Sequence, residues 1–245
     1  LTYQTADANW ASFDLPFDDT VVNGPLVVGN LGGEEEDPNF WYYTQVRLKG
    51  NSLTVNAPTE DITIGEQKVT YFDLRDLESF DANVNLFQLG SHYSDGRRPE
   101  HELWLAKNNT IIAEHIVWPR RNTGWSSTDG INIHLGQSTT IQSDQIDFGR
   151  NNEETRIDFD PNWTNPVFTI RGKDGVSATN NVNIGLSDYQ AGKTTLDLRG
   201  GTVDWKVDAM LLGQGQQSYS RQSTFLFMDD GTIEVDTLDI GMGDE

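Results

Sequence analysis

A few histidines, one basic pair and some acidic runs are the residues of this chain that could do chemistry. His92, His101, His115 and His134 show no His-x-x-x-His interval, the spacing that would bring two imidazoles onto one metal ion. Arg47-x-Lys49 puts two bases on one side of an extended segment, where one could serve as the base of a lyase beside a bound calcium ion. Asp18-Asp19 and Asp229-Asp230 are carboxylate doublets, but glycoside hydrolysis needs two carboxyl groups a fixed distance apart across the scissile bond. The second doublet stands in Met228-Asp229-Asp230-Gly231, a turn phrase in which Asp bonds its local backbone. Gly-His-Gly, a phrase of pectinase-like hydrolases, is absent. Glu34, Glu35, Glu36 and Asp37 form the acidic run best suited to offering oxygens to calcium, though neither an EF-hand loop nor a Gly-Gly-x-Gly-x-Asp repeat accompanies it. The chain has no cysteine, which excludes disulfides, thiolate metal sites and cysteine nucleophiles. No catalytic residue is assigned.

Aromatic and basic residues in segments that read as loops give the strongest binding signal. Trp41, Tyr42 and Tyr43 follow the acidic run, and Trp163 stands in Asp160-Pro161-Asn162-Trp163-Thr164-Asn165-Pro166. Arg97 and Arg98 fall in the loop from Ser91 to His101. Arg120, Arg121 and Trp125 fall in the loop from Pro119 to Gly130. Exposed rings beside polar groups suit stacking on sugar rings or on a partner's surface. The expected partners are a glycan, a cell-surface partner or other copies of the chain. No cofactor is expected beyond calcium at the acidic run.

These segments must be positioned by the elements between them. The phrase Asp236-Thr237-Leu238-Asp239-Ile240-Gly241 alternates apolar and polar residues and closes on glycine. Related phrases close at Gly29, Gly65, Gly90, Gly149, Gly185 and Gly213, and one copy ends Trp118-Pro119 instead. A repeat of about 28 residues with insertions is the signature of a solenoid. Each interval holds three alternating runs, such as Ile157-Asp158-Phe159, Phe168-Thr169-Ile170 and Val182-Asn183-Ile184. Period-two alternation buries one face and solvates the other. The expected fold is therefore all-β: a parallel β-helix of about eight three-stranded coils, right-handed by the chirality of parallel crossovers. Residues 1–12 are read as an N-terminal cover or linker and residues 13–245 as one solenoid domain, a segment of a longer chain.

Composition sets the outer limits. Hydrophobic residues are 36% of 245, and Asp plus Glu number 38 against 17 Lys plus Arg, a formal charge of -21. Such a field repels nucleic acid and anionic membrane surfaces. No apolar run is long enough to span a bilayer as a helix.

The phrases Thr195-Leu196-Asp197-Leu198-Arg199-Gly200-Gly201-Thr202-Val203 and Phe227 to Gly241 resemble the strand repeats of autotransporter passengers and other large secreted, adhesin-like bacterial β-helix proteins. The likeness covers residues 13 to 241 in rhythm and 194 to 241 closely. It implies a β-helix and an exported or cell-surface location, and it carries over no functional residue. The expected function is a structural or adhesive extracellular stalk that presents loops for glycan or cell-surface binding or self-association, without enzymatic activity. The alternative is a polysaccharide lyase or glycoside hydrolase of the β-helix type.

Overall fold

The alternating phrases form strands, and the strands pair strand over strand in parallel. In the computed structural model, the described residues are 2–3, 11–14, 18–29, 43–65, 69–90, 101–120, 130–150, 154–186, 192–213 and 222–241. A first rung holds β2 (Ala11–Asp14), β3 (Asp19–Val22) and β4 (Leu26–Val28), with the short β1 (Thr2–Tyr3) stacked outside β4. The next rungs are β5 (Tyr43–Lys49) with β6 (Ser52–Ile64), β7 (Val69–Asp76) with β8 (Ser79–Leu89), and β9 (His101–Trp104) with β10 (Asn108–Arg120). They continue with β11 (Gly130–Leu135) and β12 (Ser138–Arg150), then β13 (Glu154–Phe159), β14 (Val167–Arg171) and β15 (Thr179–Leu186). In the last two rungs single strands, β16 (Gly192–Leu212) and β17 (Gln222–Ile240), run through all three runs. Among the described residues there is no helix.

Every pairing joins one rung to the next, which makes three faces. The first face stacks β2, β5, β7, β9, β11, β13 and the starts of β16 and β17. The second and third faces stack the two halves of β6, β8, β10 and β12 with β14, β15 and the rest of β16 and β17. The expected parallel β-solenoid is the observed fold. The count of eight coils becomes about six full turns. The difference lies at the ends: β2 to β4 are bordered outside only by the two-residue β1, and β17 has no outer neighbour among the described residues.

Each face buries alternate side chains in continuous columns. On the first face Val46, Phe72, Leu103, Ile133, Ile157 and Leu196 lie in register and are fully buried. Rings from the other faces meet in the middle: Phe87 and Trp118 at 5.3 Å between centroids, Trp118 and Phe148 at 6.1 Å, Phe168 and Trp205 at 5.3 Å. Edge-to-face and tilted ring contacts of this kind add to area burial. The loop expected to start at Pro119 is corrected here. Trp118 is wholly buried, and β10 runs on through Pro119 to Arg120, which pairs with Arg150. A proline has no N–H to give the ladder, yet pairing resumes one residue later.

Glycine closes each rung for a backbone reason. Gly29, Gly65, Gly90, Gly149, Gly185, Gly213 and Gly241 all have φ between 67° and 94°, the left-handed region that other residues enter at a cost. Space matters as well as angle at Gly65, where an added Cβ would stand 2.6 Å from the His101 ring. His101 heads an internal column with Ile131, Thr155 and Thr194, all buried.

Candidate binding face and cleft

The outward side chains of the first face form a continuous polar array. Register places Arg47, Asp73, Trp104, His134, Asp158, Asp197 and Phe227 in one column, a residue per rung. Like charges on adjacent rungs would repel, so each carboxylate needs a base. Asp73 is fully buried between Arg47, whose Nε donates to Oδ2 at 2.8 Å, and Arg75, whose Nη2 donates to Oδ2 at 2.8 Å and Nε to Oδ1 at 3.0 Å. Burial alone would raise the Asp73 carboxyl, but the Arg75 hydrogen bonds and the charges of Arg75 and Arg47 hold it below the usual carboxylate range. The Arg75 guanidinium lies 3.7 Å from the centroid of Trp104, and the His134 ring stacks on Trp104 at 3.6 Å. The indole is thus sandwiched between two bases from the rungs on either side.

His134 links this stack to the next rungs. Its Nδ1 lies 2.6 Å from Asp158 Oδ1 and its Nε2 lies 3.4 Å from Glu102 Oε1. Burial pulls the imidazole toward neutrality, yet Asp158 and then Glu102 outweigh it, so its pKa is raised. Asp158 and Asp197 occupy adjacent rungs and share Arg156, which donates from Nε to Asp158 at 2.7 Å and from Nη2 to Asp197 at 3.3 Å. Arg199 closes on Asp197 through two bonds of 2.7 Å, and this pairing is the main cause holding the Asp197 carboxyl low. Arg199 then reaches toward Phe227, 5.0 Å from the ring centroid.

An open cleft of about 710 Å³ lies over this stretch, where the segment between β13 and β14 leaves the scaffold. Arg156, Asp158, Asp160, Trp163, Asp197 and Arg199 line it, with Phe159, Pro161 and Pro166 as apolar surface. Trp163 is placed by a turn in which its N–H donates to the Asp160 carbonyl at 3.0 Å. The Asp160 side chain holds that turn from the other side, accepting from the Asn162 backbone at 2.9 Å and from its Nδ2 at 2.8 Å.

The residues chosen from sequence fare unevenly. Trp163 lies in the loop expected for it and lines the cleft. Tyr43 and Arg120 are strand residues, not loop residues: Tyr43 opens β5 and pairs with Val69, and Arg120 closes β10. Trp41, Tyr42, Arg97, Arg98, Arg121 and Trp125 lie outside the described residues, as do Glu34, Glu35, Glu36, Asp37 and His92. Among the described residues no three His, Asp or Glu side chains gather as a metal-binding group. Both acidic doublets serve turns: Asp19 accepts from Asn51 and Ser52, while Asp229 and Asp230 take bonds from Gly200 and Thr202. His115 lies 3.0 Å from Asp147 as a paired strand histidine, whereas His101 is fully buried.

Asp158, Asp160, Asp197, Arg156 and Arg199 were missed. The polar residue in Ile157-Asp158-Phe159 and in Leu196-Asp197-Leu198 already marks both as outward positions on matching strands. That equivalence was the available signal. No family model, no curated protein and no solved structure matches this chain.

Proposed function

We propose that the protein is a structural, adhesive β-solenoid, exported to the cell surface or beyond, that binds a glycan along its first face. The observation that carries this reading is the cleft beside the Asp160–Pro166 segment, where an aromatic ring, apolar proline surface and paired charges converge on a rigid parallel sheet. Sites of that composition suit sugars, which present an apolar ring face and a rim of hydroxyls. The sheet supplies stiffness, because each rung is held by its neighbours through in-register backbone bonds. The test is retention of the intact chain on a panel of immobilised polysaccharides, with Trp163→Ala beside it. Retention of the wild type on at least one glycan, lost in the variant, supports the reading. Absence of retention across the panel sinks it.

A polysaccharide-degrading activity is the competing class. Of its two expected bases, Arg47 and Lys49, Arg47 is engaged by Asp73, a geometry that favours a positioning role for the guanidinium over proton transfer. Release of reducing or unsaturated ends from acidic polysaccharides, with or without calcium, abolished by Arg47→Ala or Lys49→Ala, would replace the adhesive reading with the enzymatic one.

A further inference from the structure

We propose that the cleft takes an uncharged pyranose residue and that Asp160, with the Trp163 indole N–H, reads its hydroxyls. This rests on the glycan-binding reading and names the ligand class within it. Asp160 is 2% exposed, and its Oδ1 is occupied by Asn162, yet its Oδ2 is buried with no donor among the described residues. Trp163 Nε1 is likewise buried with no acceptor among the described residues. Buried polar groups in folded proteins are almost always hydrogen-bonded, so each of these two orphans asks for a partner. One is an acceptor and the other a donor. The hydroxyls of a sugar suit both, since each gives one hydrogen and accepts at its oxygen.

Charge narrows the class. Asp158, Asp160 and Asp197 line the cleft, against Arg156 and Arg199. Both guanidinium groups are already bound to Asp158 and Asp197, so no base is left to neutralise an incoming carboxylate or sulfate. A uronate or sulfated sugar would meet the repulsion of the Asp160 carboxylate, offset only in part by the charge of Arg75, which is itself bonded to Asp73. A neutral sugar would not, and its C–H face has Pro161, Pro166 and the Trp163 ring to lie against.

The experiment is titration calorimetry of the intact chain against a neutral β-glucan, a neutral mannan, polygalacturonate and dextran sulfate. It is repeated with Asp160→Asn, which turns the orphan acceptor into a donor, and Trp163→Phe, which keeps a ring and removes the N–H. Thermal melting of each variant checks the fold. Binding of a neutral polymer, weakened about tenfold or more by Asp160→Asn and severalfold by Trp163→Phe, supports the proposal. A neutral polymer bound equally by wild type and a folded variant overturns it while leaving glycan binding intact. Binding of the anionic polymers alone also overturns it with the broader reading intact. Binding of none of the four to the wild type removes both. If Asp160→Asn fails to fold, the Trp163→Phe result decides between the first two outcomes.

Discussion

Lowering the pH should destabilise this solenoid through a single internal ring, His101. The imidazole is fully buried, its Nδ1 accepts the Thr70 backbone N–H at 3.1 Å, and its Nε2 has no partner among the described residues. Protonation would put a charge and a further donor into the interior, and burial pushes the pKa down from 6.5 to about 4. The unfolded chain therefore binds the proton more readily than the folded one between those values. The stabilisation is complete above pH 6.5 and is lost as the pH falls through about 4. A gap of about 2.5 units is worth about 3 kcal/mol, of which about 2.5 kcal/mol is gone by pH 4.5. The comparison is with His101→Thr, since threonines fill the same column at Thr155 and Thr194. Urea unfolding of both proteins at about pH 7.5 and pH 4.5 isolates the term, because other titrating groups are common to both. The wild type should lose about 2 to 3 kcal/mol more than the variant between the two conditions. Equal losses, or an NMR titration of the His101 ring with a midpoint near its ordinary value, would refute the reasoning.

Two further outcomes follow from the same geometry. His134 works in the opposite sense to His101: Asp158 and Glu102 raise its pKa, so its contribution is present below the unfolded value of 6.5 and fades as the pH rises through the folded one. His134→Gln should cost more stability at about pH 5.5 than at about pH 9, and a loss independent of pH would disprove the imidazolium. Trp118→Ala removes a fully buried ring that touches Phe87 and Phe148 and should cost about 3–5 kcal/mol in urea unfolding. A loss below about 1 kcal/mol would mean that the ring does not pack as described.

Much of the architecture was readable because a solenoid writes its rules locally. Period-two alternation in Ile157-Asp158-Phe159 marks which side chains point inward, and a terminal glycine such as Gly185 marks a corner that needs positive φ. Those features depend on a few neighbouring residues. Trp118-Pro119 misled for the same reason, since proline reads locally as a break while pairing with β12 keeps the strand in register through Arg120. The cleft was beyond local reading. Arg156 meets Asp197 only because an insertion between β13 and β14 leaves the pairing of β13 with β16 undisturbed, and the two residues lie 41 apart in sequence. Trp163 was found by its type and its loop. Its partners were hidden until register put matching outward positions side by side. His101 showed the limit of counting residue types: the sequence places it only at the end of a loop, and the space that buries it is created by Gly65 on another rung.

The bonds that join one rung to the next point along the rod, so a pull along the rod opens them in sequence, as a zipper opens. β17 is the first tooth. It is held on one side only among the described residues, and Leu238 and Ile240 at its end are 51% and 69% exposed. Stripping a rung of about 28 residues pays out roughly 95 Å of chain before the next one takes the load. Force spectroscopy on the intact chain should then show a train of small steps beginning at the C-terminal end, and a single large rupture would contradict this picture. Such a molecule resists bending and compression well but yields gradually under tension, lengthening by severalfold before it lets go.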